Sequence, residues 1–289
     1  MGLKLKLTAP SGAVARCPAC GLGQTLDLIE PADLARLYDD DYLKSHLPDR
    51  PDAREEERLR RPLDLARRFK PAPARLLEVG VGRGWLLKWA ADLGYQVMGA
   101  DLSPQAARSA EKTSGARVLV GPLQDLGLPA QSQEVVVLRH VLEHVPRPVE
   151  FLAEIGRILS PNGLVVGSMP NFKSFKAWLD GPRWCFLMLP SHRLHFSPRA
   201  LRRLLTEAGF EVAALQVREL VLYDRALFQS VLNRLRRLLG WPEAPTGYDP
   251  TEVEVNSLIT WVLAQEHRFH RLLARLRLGE EIVFAGRRT

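Results

Sequence analysis

The stretch Leu76-Leu-Glu-Val-Gly-Val-Gly-Arg-Gly-Trp85 runs a short apolar segment into three glycines, Gly80, Gly82 and Gly84. An apolar run that ends in such a turn lets a buried strand bring its backbone close to a ligand, because glycine removes the side chain and accepts positive φ. Trp85, Leu86, Trp89, Ala90 and Leu93 then recur at helical spacing, and Gly94 supplies a stop. The next apolar run, Gln96 to Ala100, leads into Asp101. A strand, a glycine turn, a helix and a second strand ending in an acid about twenty residues on form a nucleoside-binding arrangement of an open α/β sheet. The acid can accept from both ribose hydroxyls, while loop amides and the helix N-terminus meet the other end of the ligand. A dinucleotide fingerprint needs glycine at the sixth position of the motif; here that position is Trp85 and Gly84 stands at the fifth. The indole would block the close helix-strand approach, which argues against a dinucleotide.

Outward from this turn, apolar runs alternate with helical periods, the mark of a parallel α/β sheet. Strands are predicted at Arg75 to Val79, Gln96 to Ala100, Arg117 to Val120, Glu134 to Leu138, Leu164 to Ser168, Glu211 to Val217 and Glu281 to Gly286. Ser103-Pro104 and Ser197-Pro198 each place a capping hydroxyl before a proline at the first helical position. The helix marked by Val149, Leu152, Ile155 and Leu159 is expected to end before Pro161-Asn162-Gly163. The long interval before the last strand implies an insertion, and its Leu/Arg pattern reads as helical. Four units are expected: an N-terminal lobe over 1–60, a core over 61–218, a helical insertion over 219–278 and a final core strand over 279–289. Pro62 is expected to break or kink the helix leading into the core.

The 289 residues carry a formal charge of +7 and three cysteines. Too few cysteines for a disulfide framework, no signal-like leader and no apolar run near the roughly eighteen residues of a membrane helix point to a cytoplasmic protein. The charge alone gives no strong nucleic-acid signal, since arginines scattered on helix faces are commonly solvated or paired.

The spacing G-x-G-x-G preceded by Glu78 resembles the first motif of class I S-adenosylmethionine-dependent methyltransferases, and VMGADLSPQA resembles the second. The segment VLVGPLQDLGLPAQSQEVVVLRHVLEHVPRP resembles the third and fourth, and Pro170-Asn171 and His192 to Ser197 match the branch with H-x-L-E-H-V and H-x-x-H-F-S. The resemblance covers about Leu76 to Phe210. It implies a doubly wound, Rossmann-like seven-stranded sheet, mostly parallel with an antiparallel last strand. It also implies S-adenosyl-L-methionine held by Glu78, Gly80, Gly82, Gly84, Asp101, Leu102 and His140. Where the family commonly has an acid for the adenine this chain has Pro122, which leaves Leu123, Gln124 or Asp125 to meet the base. Tyr42, in the segment LYDDDYL, is expected to fold over the methionine end, as is Tyr38 in an alternative reading; a plain helix with an acidic face competes with both.

Methyl transfer to oxygen or nitrogen needs a base as well as alignment. His140, His144 and His195 are the candidates, against simpler roles as capping, packing or loop-bonding histidines, and Glu143 is expected to satisfy backbone amides. Asn171, Trp178, Trp184 and His192 are read as part of a lid over the acceptor, or else as a small satellite core. No metal is expected: no carboxylate or cysteine joins the histidines at a recognisable spacing, and Cys17-Pro-Ala-Cys20-Gly is half of a zinc knuckle. The expected partner is a small-molecule or lipid-linked acceptor, with peripheral membrane contact by the basic insertion, and oligomerisation, as further options. A nucleic-acid methyltransferase and a catalytically inactive cofactor-binding or membrane-surface scaffold are the alternatives.

Overall fold

The computed structural model describes residues 4–9, 12–26, 49–218, 233–236, 239, 273 and 275–289. Tyr38, Tyr42 and most of the expected helical insertion lie outside them, although 233–236 are helical. Among the described residues no helix is long and apolar enough to cross a membrane.

Three short strands come first: β1 (Lys4–Ala9), β2 (Gly12–Arg16) and β3 (Gly23–Thr25). Helix α1 (Ala53–Phe69) opens on Asp52, whose carboxylate accepts from the Glu55 amide at 2.8 Å. The core follows as β4 (Arg75–Val79), α2 (Trp85–Asp92), β5 (Gln96–Asp101), α3 (Pro104–Ser114), β6 (Val118–Val120) and β7 (Gln133–Arg139). Next come α4 (Pro148–Ile158), β8 (Leu159–Pro170), α5 (Phe175–Asp180), β9 (Leu194–His195), α6 (Pro198–Glu207), β10 (Phe210–Arg218) and β11 (Glu281–Arg288).

The central sheet has seven strands in the order β10-β11-β8-β7-β4-β5-β6. β11 runs antiparallel to both neighbours, and the β4, β5, β6, β7 and β8 pairings are parallel. Alternation along β4 and β7 feeds two cores. Leu77, Val136 and Leu138 join α4 and α6 on one face, whereas Leu76, Val135 and Val137 join α1, α2 and α3 on the other. Both faces of β7 are therefore dry, as a central parallel strand requires.

Two expectations are corrected. Helix α1 runs unbroken through Pro62, which is buried within it. β8 begins at Leu159, before the expected loop: the ladder pairs Gln133 with Leu159 and resumes at Val135 with Leu164, so Pro161 to Gly163 form an irregularity with Asn162 at φ 58°. A second sheet, β1-β2-β3-β9, pairs Gly23 with His195 and Gln24 with Leu194, so strands from the chain start close on the loop before α6.

Candidate active site

The C-terminal ends of β4, β5 and β7 carry the site, as the parallel topology dictates. After β4 the backbone turns through Gly80, Gly82 and Gly84, at φ 77°, 52° and 80°. Gly84 is needed for a second reason: a Cβ there would stand 2.6 Å from the Ala110 Cα, so α2 and α3 touch backbone to backbone at this point. Asp101 ends β5 with its carboxylate 2.8 Å from the Ser103 amide. Burial raises its pKa, opposed by hydrogen bonds from the Ser103, Gly82, Val81 and Leu102 amides. Asp101 thus abuts the glycine turn, with Leu102 exposed beside it, Leu123 buried and Gln124 exposed.

Glu78 lies fully inside, and burial pushes its carboxyl up to about 8 against the pull of Arg139. Its Oε2 has no hydrogen-bond partner among the described residues. A small recess opens between the turn and the start of α1, lined in part by Glu55, Glu78, Val81, Arg83, Gly84 and Arg139. Asp49 anchors the chain entering α1 across it, through an ion pair with Arg83 at 2.8 Å and a carbonyl that accepts from the Trp85 indole at 3.0 Å. A left-handed glycine turn, a strand-end carboxylate touching it and a buried acid with one unpartnered oxygen fit the nucleoside and amino-acid ends of S-adenosylmethionine.

At the end of β7 the chain makes a polar cluster. His140 takes φ 52°, and its Nδ1 lies 3.1 Å from Glu143 Oε1. Its Nε2 faces Glu281 Oε1 at 3.6 Å, an ion-pair distance too long for a hydrogen bond. Glu281, on β11, is clamped by Arg61 of α1 at 2.7 Å. Burial works against a charged ring, but the carboxylates of Glu143 and Glu281 outweigh it and raise the His140 pKa. His140 is thus held between two carboxylates at the end of β7. Burial likewise opposes ionisation of Glu143, yet the His140 bond and nearby imidazole charge take it down to about 2. The backbone carbonyl of Glu143 accepts from the Arg193 and Leu194 amides. Glu143 therefore meets amides through its carbonyl and keeps its carboxylate for the histidines.

His144 and His192 pack edge to face with ring centroids 4.6 Å apart, and burial lowers both pKa values, that of His192 to about 3. With Glu143 they offer three ligand atoms within 4.8 Å of one another. His192 arrives from a distant loop, a proximity that spacing along the sequence does not encode. His195 lies elsewhere: its Nε2 is 3.0 Å from Thr25 Oγ1, whose hydroxyl donates to the His192 carbonyl at 2.6 Å. With the hydroxyl proton so used, His195 is the donor to Thr25, and burial takes its pKa to about 4. It fastens the β3-β9 seam.

The four residues read as a lid divide. Asn171 is fully buried, and its amide donates to the Gly279 carbonyl at 2.7 Å, which fixes the entry to β11. Trp184 is 3% exposed in a small core with Val14, Ala177 and Leu187, its indole reaching Glu280 at 3.3 Å. Both are packed and hydrogen-bonded as the satellite-core alternative describes. Trp178 is 59% exposed under the Arg234 guanidinium, 4.2 Å from the ring centroid. His192 points into the polar cluster. Sequence reasoning missed Arg61, Thr25 and Glu281. Of these only Glu281, an acid opening an apolar strand, left a trace in the sequence.

Cys17 and Cys20 are free thiols in a tight turn closed by the Gly21 amide on the Cys17 carbonyl at 2.9 Å. Hydrogen bonds from the Cys20 and Ala19 amides lower the Cys17 pKa.

Residues 52–215 match a family described as a methyltransferase domain. A ubiquinone biosynthesis O-methyltransferase from Cereibacter sphaeroides is 33% identical over 148 residues, 47% of this chain and 60% of that protein. One of the same name from Xanthomonas axonopodis is 32% identical over 160 residues, 51% of this chain and 67% of that protein. The matches thus span 52% to 67% of the curated relatives' lengths. Among solved structures, the Burkholderia thailandensis 1,6-didemethyltoxoflavin-N1-methyltransferase, bound to its namesake compound and S-adenosylhomocysteine, has a TM-score of 0.53 at 18% identity and covers 99% of both chains. An S-adenosylmethionine-dependent methyltransferase from Archaeoglobus fulgidus scores 0.54 at 19% identity, covering 82% of this chain and 95% of its own. At these identities the structural likeness is one of fold.

Proposed function

This chain belongs to the class I S-adenosylmethionine-dependent methyltransferases, and from that premise we propose that it methylates a small-molecule or lipid-linked acceptor, at oxygen. The observation that carries the reading is the meeting, at one edge of one sheet, of the glycine turn with Asp101 and the buried Glu143-His144-His192 cluster. The names of relatives that are about a third identical to it over the aligned 148 to 160 residues, ubiquinone biosynthesis O-methyltransferases, support oxygen as the acceptor atom.

When bound, S-adenosylmethionine supplies a methyl group on a positively charged sulfur. The chain's own part is alignment and proton handling. Asp101 accepts the ribose hydroxyls, and the amides of the glycine turn and the recess beside Glu78 receive the methionine end. The acceptor hydroxyl must shed its proton, and His144, just past the end of β7 with its charged form disfavoured by burial, is the group assigned to take it. His140, held between Glu143 and Glu281, sets the orientation of Glu143 and acts as a positioning residue.

The test is calorimetry of the full chain with S-adenosylhomocysteine, followed by transfer of labelled methyl from S-adenosylmethionine to a panel of phenols, catechols and amines. Binding with labelled oxygen ethers is the expected result. Product only on amines or carbon would replace the oxygen reading, and absence of binding would overturn the function itself.

A further inference from the structure

The turn Cys17-Pro18-Ala19-Cys20-Gly21, which methyl transfer leaves unused, is built around one sulfur. The amides of Ala19 and Cys20 both donate to Cys17 Sγ, and the Cys20 thiol does so as well. Pro18 has no N–H, so both remaining amides inside the turn are aimed at this sulfur. The backbone closes behind it: the Cys17 amide donates to the Leu22 carbonyl at 2.8 Å and the Gly21 amide to the Cys17 carbonyl at 2.9 Å, with Gly21 at φ 78°. Three donors converging on one sulfur favour its thiolate, and the second thiol of the pair is one of them. Both cysteines are half-buried free thiols within reach of solvent.

The surroundings are cationic. Arg16 Nε donates to the Gly21 carbonyl at 3.3 Å, and its guanidinium lies so close to the turn that a Cβ on Gly21 would stand 2.9 Å from Nη2. From α6, Arg199 Nη2 donates to the Ala19 carbonyl at 3.0 Å. The Arg203 charge adds to the amide hydrogen bonds in lowering the Cys17 pKa. Among the described residues Arg16 and Arg199 meet carbonyls and no carboxylate, so the turn faces two cations. A zinc ion on the pair would need two further ligands, and among the described residues no histidine, cysteine or acid joins the two sulfurs. Cys185 has the opposite setting. Although the residue is exposed, desolvation of its sulfur and the Glu280 carboxylate push its thiol up to about 12.

We infer that Cys17 and Cys20 form a reversible dithiol site for small anionic disulfides, with Cys17 as the attacking sulfur and Cys20 as the resolving one. Thiolates attack disulfides, and a cationic rim gathers an anionic partner. The Cys17 thiolate attacks one sulfur of the incoming disulfide; a mixed disulfide forms, the incoming S–S bond breaks and its other half leaves as a thiolate. Cys20 passes its proton to that thiolate and attacks the Cys17 sulfur. The Cys17–Cys20 bond forms as the mixed disulfide breaks, and the second half leaves as a thiolate that takes up a proton from water. Two thiols of the chain are oxidised and one external disulfide is reduced to two thiols, so no further reagent is required.

The experiment exposes the reduced full chain to glutathione disulfide and follows each cysteine by alkylation and peptide mass spectrometry. The expected product is a peptide carrying Cys17 and Cys20, lighter by two hydrogens, formed at least about tenfold faster than any adduct on Cys185 and reversed by excess glutathione. In Cys20→Ser the reaction stops with glutathione on Cys17, and in Cys17→Ser the attack by Cys20 is at least about tenfold slower than that of Cys17. Arg199→Gln slows the reaction with glutathione disulfide a few-fold, and that with uncharged hydroxyethyl disulfide less. Urea unfolding of every variant separates a lost fold from a lost thiol, and alanine replaces serine in any cysteine variant that fails to fold. Cys17 reacting no faster than Cys185 would overturn the inference. So would glutathione settling on Cys20 in preference to Cys17, a wild-type mixed disulfide that never resolves, or a zinc ion held on the reduced pair with both thiols unreactive.

Discussion

From Leu76 to Asp101 the chain builds the donor side of the site in one continuous stretch, whereas the acceptor side is gathered from Thr25, Arg61, Glu143, His192 and Glu281, on elements far apart in sequence. The donor side relies on backbone: left-handed glycines, amides on a carboxylate, and one helix against another without side chains between them. The acceptor side relies on buried charged and imidazole side chains that hold one another. Local backbone geometry can be written as a motif, but a constellation of side chains is fixed only when the second sheet and β11 close around it.

The largest expected effect probes the one buried acid of the donor side. Glu78 has a folded pKa of about 8 against an ordinary 4.5, so folding favours its protonated form. The stability from this group is complete below pH 4.5 and drains away as the pH rises to 8, by up to about 5 kcal/mol at 1.36 kcal/mol per unit. Glu78→Gln removes the titration. Urea unfolding of both proteins from pH 5 to 9 should show the variant gaining on the wild type up to about pH 8 and then running parallel. A constant difference across that range would show that Glu78 is ionised throughout.

Next comes the backbone contact itself. Gly84→Ala sets a Cβ 2.6 Å from the Ala110 Cα at a φ of 80°, combining overpacking with a left-handed residue. A loss of about 2–5 kcal/mol in urea unfolding is expected, with weakened S-adenosylhomocysteine binding. A neutral result would mean that α2 and α3 can move apart freely. Asp101→Ala is expected to cost less in stability and more in binding. Losing two hydrogen bonds to a charged acceptor, at about 1.5–3 kcal/mol each, weakens S-adenosylhomocysteine at least about 100-fold by calorimetry. Unchanged affinity would remove Asp101 from the ribose.

The same contrast accounts for what could be read from sequence. The strands from Arg75 to Val79 and from Gln96 onward were legible because their apolar runs are bounded by glycine and by capping serines, all within a few residues. The start of β8 was misread because Pro161-Asn162-Gly163 has the chemistry of a turn, while the ladder with β7 absorbs it as an irregularity. Pro62 misled because its missing N–H matters less than the burial of its ring on the core side of α1. The histidines could be named but not sorted. Their roles depend on Glu281 for His140, Thr25 for His195 and two backbone carbonyls for His144 and His192, and none of these partners lies in the local pattern.

The smallest expected effect tests whether the second sheet serves the acceptor side alone. Thr25→Val keeps the shape but removes the hydroxyl that donates to the His192 carbonyl and accepts from His195. Both buried partners lose a hydrogen bond, at a cost of about 1–3 kcal/mol read as a fall in unfolding midpoint. Because Thr25 lies behind the loop that carries His192, and the glycine turn is assembled from β4 and β5, the variant should bind S-adenosylhomocysteine like the wild type. Its KM for the acceptor should rise a few-fold. If donor affinity fell in step with acceptor affinity, the two halves would be mechanically coupled through β7, and the separation between a backbone-built donor side and a side-chain-built acceptor side would have to be abandoned.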